Sequence, residues 1–320
     1  MVDEENAESW ETRDALTVDP YIPRPGLVEF IESRRDWEKV EIDLDEYPDF
    51  VRLIFPCREH QTLLPLETWK QLRTLSLFTD AYNTPPDGED RVECGPIWMT
   101  KESFPMLRNV RLHLKVCKLE GWTLPWAQLR SLTLEMLEDP FSMYLGILSQ
   151  CLSLQTFRLR VGEEYDSTDP GNGTMVTAPS LRHVSIHASL SPWSEFTTSF
   201  MDKLQLPALR RFEITDSPWS SCDDSFINSL HSCFQRSRCH VRHLCVDAER
   251  MQLKKDTLRR LLKATPSLKS LRLVVDAPDV TAKFVMSLRM PKLAEAIINS
   301  AGSSDRDVLE NCSSPAFSTS

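Results

Sequence analysis

Glycine is scarce in this chain, with nine residues in 320. That leaves little room for the glycine-rich loops that cradle phosphates, and neither GxGxxG nor GxxxxGK[ST] occurs. GxSxG and HExxH are missing too, which removes a nucleophile elbow and a zinc-protease helix. No apolar run approaches the roughly 20 residues that cross a bilayer. The opening stretch, MVDEENAESWETRDALTVD, has no apolar core of the kind that a secretory signal needs. The nine cysteines stand singly, without a CxxC pair. An odd count with no secretory leader reads as reduced thiols in the cytoplasm or nucleus. Basic residues are outnumbered by acidic ones, 37 to 47, giving a formal net charge of -10. Such a balance argues against duplex nucleic acid or an anionic membrane as the default partner.

Aliphatic repetition is what the chain does have. A six-residue phrase recurs with an aliphatic residue at its first, fourth and sixth places. Its clearest copies are Leu72–Leu77 (LRTLSL), Leu129–Leu134 (LRSLTL) and Leu268–Leu273 (LKSLRL). Looser copies run over Leu107–Leu112, Leu154–Leu159, Leu181–Ile186, Leu209–Ile214 and Val241–Val246. Degenerate ones stand at the two ends, Trp37–Ile42 and Leu293–Ile298, which makes ten. The last three residues of each phrase alternate in and out, as a short strand with one buried face must. Between phrases the spacing turns helical. Phe141, Tyr144, Leu145 and Leu148 share one face after Asp139-Pro140, read as an N-cap followed by proline at the first helical position. Phe226, Ile227 and Leu230 repeat that logic after Asp223 and Asp224, Leu258, Leu261 and Leu262 after Asp256, and Phe284, Val285 and Leu288 after Asp279.

A single strand-helix unit cannot bury its apolar face alone, so the units must stack. The expected fold is an α/β leucine-rich-repeat solenoid of about ten irregular units, with a parallel sheet on the concave side and helices behind it. Residues 1–20 read as a disordered acidic arm, 21–298 as the repeat domain and 299–320 as a disordered serine-rich tail. Leu27, Val28 and Ile31 suggest a helix ahead of the first strand. Two acidic insertions, 79–96 and 162–174, read as loops on one edge. Trp37, Trp69, Trp122 and Trp126 read as core or capping residues, and Trp193 and Trp219 as residues of the loop edge.

These passages resemble the repeat region of fungal F-box/leucine-rich-repeat proteins. The likeness lies in Leu27–Ile42 (LVEFIESRRDWEKVEI), Leu124–Leu134 (LPWAQLRSLTL), Leu145–Leu159 (LGILSQCLSLQTFRL), Ala178–Ile186 and Leu206–Ile214, and it spans roughly residues 24–298. In that family an F-box engages the Skp adaptor of a cullin-RING ubiquitin ligase while the repeats select a substrate. No LPxE-led helical segment precedes the repeats here, and Pro48–Phe55 (PDFVRLIF) reads as a repeat helix. The resemblance therefore implies the recognition half of that function: a non-catalytic, intracellular interaction scaffold, without cofactor or metal, acting as a monomer. The alternative is a stand-alone scaffold or inhibitor with no ligase.

The outward strand positions give the candidate partner-binding face: Arg111, His113, Arg158, Arg160, His183, His187, Arg211, His243 and Arg272. Only Glu135, Glu213 and Asp247 oppose its five arginines. Arginine forks bind carboxylates or phosphates bidentately, so an acidic segment of a protein partner is the expected occupant. The plainer reading is a solvated face whose cations pair with the acidic loops beside it. Cys/His chemistry is weaker. His231, Cys233, Cys239, His240, His243 and Cys245 lack the paired spacing of structural zinc, and Cys57 with His60 has no orienting third group.

Overall fold

The computed structural model describes residues 15–17, 37–43, 69–79, 97–114, 119, 121–137, 140–161, 174–188, 193–216, 225–252, 254–276, 282–288, 290–300 and 307–310. Each of the ten phrases ends in one strand of a single sheet. In chain order these are β2 (Lys39–Asp43), β3 (Thr74–Thr79), β4 (Asn109–Leu114), β5 (Ser131–Leu137), β6 (Thr156–Val161), β8 (His183–Ala188), β10 (Arg211–Asp216), β11 (His243–Gln252), β12 (Ser270–Asp276) and β13 (Glu295–Ser300). They pair in parallel with their sequence neighbours, and equivalent phrase positions always meet. Val110, for example, faces Leu75 on one side and Leu132 on the other. This is the solenoid-like α/β arrangement that the repetition requires. Two short strands, β7 (Val176–Thr177) and β9 (Leu204–Gln205), form a separate parallel pair.

The packing follows the phrase. Side chains at its first, fourth and sixth places are nowhere more than 7% exposed, from Trp37, Val40 and Ile42 to Leu293, Ala296 and Ile298. Burying each large apolar side chain is worth roughly 1.5–3 kcal/mol before chain entropy is subtracted. Among the described residues five helices lie on the same side: α1 (Phe141–Gln150), α2 (Trp193–Asp202), α3 (Ser225–Ser237), α4 (Lys255–Lys263) and α5 (Ala282–Ser287). Tyr144, Phe200, Phe226, Leu261 and Val285 carry them into the one core cluster. Aromatic rings join strand to helix at Phe157–Phe200, 6.4 Å between centroids, and at Phe212–Phe234, 5.9 Å and edge-on. Between β4 and β5 only 22 residues separate the leading leucines, Leu107 and Leu129, too few for a helix of that size. A 3-10 turn at Trp126–Gln128 and the buried Phe104, Trp122 and Trp126 fill that space instead.

A backbone ladder fixes the register. The carbonyl of each phrase's second residue accepts two N–H groups from the next phrase. Arg182 takes those of Arg210 and Arg211, at 2.8 and 2.9 Å, and Arg210 takes those of Arg242 and His243, at 2.7 and 3.0 Å. The same pair of bonds runs from Glu38 to Lys269. Strand entries are thereby stacked one above another at the usual sheet spacing of about 4.8 Å.

Several expectations shift. The N-cap of α1 is Pro140 itself, without a side-chain cap bond, and Phe141 is the first helical residue. Asp256 lies inside the first turn of α4, whose N-cap is Lys254; it pairs there with Arg259 at 2.6 Å. An acidic residue suits that turn because the helix dipole is positive there. Stretches read as arm and tail also contribute strands: β1 (Ala15–Thr17) adds in parallel to β2, and β14 (Asp307–Glu310) adds antiparallel to β13. Unpaired N–H and C=O groups along a sheet edge give a short extended segment a place to bond. The helix suggested at Leu27–Ile31, the Pro48–Phe55 segment, the pair Cys57 and His60, Trp219 and nearly all of the two insertions lie outside the described residues.

Candidate partner-binding face

The places between buried ones point away from the helices and form three rows across the sheet. The third-place row runs Asn109, Ser131, Thr156, His183, Arg211, His243, Ser270 through the middle strands. The fifth-place row runs Arg111, Thr133, Arg158, Ser185, Glu213, Cys245, Arg272. The seventh-place row runs Phe78, His113, Glu135, Arg160, His187, Thr215, Asp247. All nine candidate residues fall on these rows, each exposed or half-buried. His183, Arg211 and His243 are consecutive in one row, and Arg160 and His187 are adjacent in another. Arg272 stands apart, three strands from His187.

The carboxylates on this face are already engaged. Glu135 on β5 receives both Arg111, 3.1 Å away, and Nδ1 of His113, also at 3.1 Å. Glu213 on β10 lies 3.2 Å from Nε2 of His183 and accepts from Nε of Arg211 at 2.6 Å. Asp247 accepts from Arg272 at 3.2 Å. His183 and Arg211 together hold the Glu213 carboxyl down at about 2, against the opposing pull of partial burial. These carboxylates are sheltered, 16 to 24% exposed, whereas their arginines reach 49 to 54%. Three of the five arginines are thus matched within the sheet by carboxylates of strand residues.

Two arginines are left over. Arg158 and Arg160, two residues apart on β6, are both exposed, and neither makes an ion pair among the described residues. Beside them, His187 is pushed below its ordinary value by burial and by Arg160, with Glu135 opposing, so the imidazole stays neutral at pH 7. The face therefore has a positive centre on β6 flanked by internally neutralised strands. At its β3 side Phe78 adds an aromatic surface with the Arg111 guanidinium 5.2 Å from its centroid. Phe78 directly follows its six-residue phrase, at a seventh place that the strand's alternation turns outward.

A second basic feature escaped the sequence reading. The second residue of the phrase is Arg73, Arg108, Arg130, Arg182, Arg210, Arg242 or Lys269 in seven copies, and the carbonyl ladder stacks these residues along the strand-entry edge. Where the row passes β8 to β13 it borders a groove of about 450 Å³ lined by Arg182, Arg210, Arg242, Lys269, Lys292 and His240, with Ser267 and Pro207–Leu209.

No protein-family model matches the chain, and no curated protein matches it. Among solved structures it is similar to a crystal structure of a protein from Bacteroides fragilis, with 14% identity over 64% of this chain and 69% of that one and a TM-score of 0.35. A crystal structure of the Rad7 and Elc1 complex in yeast covers 81% of this chain and 78% of its own, with 12% identity and a TM-score of 0.23.

The Cys/His cluster is dispersed by the fold. Cys233 on α3 is buried, its thiol donating to the Leu204 carbonyl at 3.5 Å, and burial pushes it up to about 11. Cys239 is buried against the Phe234 carbonyl and pushed up to about 12. Cys245 lies half-buried on the open face, opposite to the side on which Leu244 is buried, and His240 is exposed on the groove. Among the described residues no three His, Cys, Asp or Glu side chains are placed to hold a metal ion.

Proposed function

We propose that the chain is a non-catalytic scaffold of ten stacked units, curved with its open sheet face concave, that captures an acidic segment of a protein partner. The observation that carries this reading is the pair Arg158 and Arg160 at the centre of the face. Every sheet carboxylate near them already has a cation, so their charge is available to a partner. An incoming carboxylate there gains charge-assisted, bidentate hydrogen bonds, which are stronger than neutral ones. His183, His187, Arg211 and His243 border that centre, and Arg111, His113 and Arg272 extend it toward the outer strands. An aromatic at Phe78 suits the edge of such an interface.

The role that fits such a surface, together with the sequence resemblance, is substrate recognition for a cullin-RING ubiquitin ligase in the cytoplasm or nucleus. Co-purification of the tagged chain from its native cell, read by mass spectrometry, tests both halves. Retained Skp adaptor and cullin support the ligase role. Their absence beside another retained protein makes the chain a stand-alone scaffold or inhibitor. Changing Arg158, Arg160 and Arg211 to glutamate should abolish partner retention while leaving the circular dichroism spectrum intact. Undiminished retention by that folded variant would overturn the assignment of the face.

A further inference from the structure

The strand-entry groove is a different surface from the open face, and its described lining carries charge of one sign. Five of its lining side chains are permanently cationic: Arg182, Arg210, Arg242, Lys269 and Lys292. His240 adds a sixth positive charge when protonated. Among the described residues no carboxylate lines it, in a chain where acidic residues outnumber basic ones 47 to 37. None of the six makes an ion pair or a side-chain hydrogen bond among the described residues. The cations cannot drift apart freely, because the ladder fixes the backbones of Arg182, Arg210, Arg242 and Lys269 at bonded distances of 2.7 to 2.8 Å. Part of their field reaches His243 on the next position, whose imidazole is lowered by burial, then by Arg211 of the open face and by Lys269 and Arg242 of the groove, with Glu295 opposing. Like charges held in a row by the main chain repel one another until an anion joins them.

We propose that this groove binds a compact anion carrying several phosphate groups. Size and charge select that class. Arg182, Arg210, Arg242 and Lys269 stand one strand apart, a row about 14 Å long at about 4.8 Å per strand, whereas five carboxylates on one side of an extended peptide would span about 27 Å at about 6.8 Å between same-face side chains. Phosphates carry about 1.5 to 2 negative charges each near neutral pH, so two or three neutralise the site within a short length. Guanidinium forks match phosphate oxygens in pairs, and Lys269 and Lys292 act as point charges beside them. Ser267 adds a hydroxyl donor at the rim. Among the described residues the lining holds no Phe, Tyr or Trp on which nucleic-acid bases could stack.

Inorganic tripolyphosphate is the probe, titrated into the full chain by isothermal calorimetry, with thermal unfolding as a second readout. Expected are binding at least tenfold tighter than orthophosphate at matched ionic strength, and a rise in Tm at saturation. Arg210→Glu with Arg242→Glu should remove both effects, while Arg158→Glu with Arg160→Glu on the open face should keep them. If the double glutamate variant fails to fold, Arg210→Gln with Arg242→Gln replaces it, with at least a tenfold loss of affinity expected. Without anion this milder pair should match or exceed the parent in Tm at low salt, since it relieves repulsion. Equal binding of tripolyphosphate and sulfate, or tripolyphosphate affinity unchanged in the Arg210/Arg242 variant, would overturn the proposal. So would tighter binding of a mixed-sequence single-stranded oligonucleotide or of an oligoglutamate peptide, which would make the edge a track for those polymers. The open-face variant separates the two readings: tripolyphosphate binding can fail while partner capture survives, and the reverse.

Discussion

Replacing Glu213 with glutamine probes how the open face balances its own charge. The side chain lies between Nε2 of His183 at 3.2 Å and the guanidinium of Arg211. Its folded carboxyl titrates at about 2 instead of 4.5. A shift of that size corresponds to about 3 kcal/mol if none of it is screened, at 1.36 kcal/mol per unit. Glu213 is 24% exposed and Arg211 54%, so solvent takes much of this away, and a loss of about 1 kcal/mol in Glu213→Gln is the expected size. The sign with pH follows from the depressed folded value. The ionised carboxylate stabilises the native chain fully above about pH 4.5, and that contribution fades as pH falls toward 2. Urea unfolding of parent and variant at pH 7, 5 and 3 checks this. The stability difference should be about 1 kcal/mol at pH 7, nearly the same at pH 5 and visibly smaller at pH 3. A difference that ignores pH, or none at pH 7, would refute the account of Glu213 as the neutralising anion of its two neighbours.

Two further predictions concern the core and its thiols. Leu132→Ala, at a fully buried fourth place, should cost about 2–5 kcal/mol in urea unfolding, while Leu152→Ala, 58% exposed, should stay within about 0.5 kcal/mol. Alkylation of the native chain at pH 8, mapped by mass spectrometry, should label Cys245 well before Cys233 and Cys239, whose thiols titrate near 11 and 12; early labelling of the buried pair would contradict their placement.

The phrase made the sheet legible because each strand obeys period-two alternation and each copy repeats the last. Once Leu75, Val110 and Leu132 are set inward, Arg111, Arg158 and Arg160 can only point outward, and register then aligns them. Pairing was harder to foresee. Whether Arg111 meets Glu135 or an insertion depends on which strand lies alongside and on where two long side chains reach, and neither is written in the phrase. The basic edge was overlooked for another reason. In any one copy the second residue looks like an ordinary solvated cation, and only the carbonyl ladder turns six arginines and Lys269 into a row, broken at Gln155. β1 and β14, of three and four residues, are too short to show a period, and the α1 cap moved because proline took the place that Asp139 was expected to hold.

Parallel stacking also has an end problem. A sheet built from like units exposes on its last strand the same bonding pattern that each unit offers the next, an invitation for another copy to continue the stack as a filament. β14 answers it by running the other way. Lying antiparallel on β13 over Ile298 to Glu295, it covers that strand's free edge with a segment of opposite direction and carries acidic Asp307 and Glu310 at its ends. A second molecule would meet a strand of reversed direction there instead of a waiting parallel edge, which disfavours head-to-tail addition at that border.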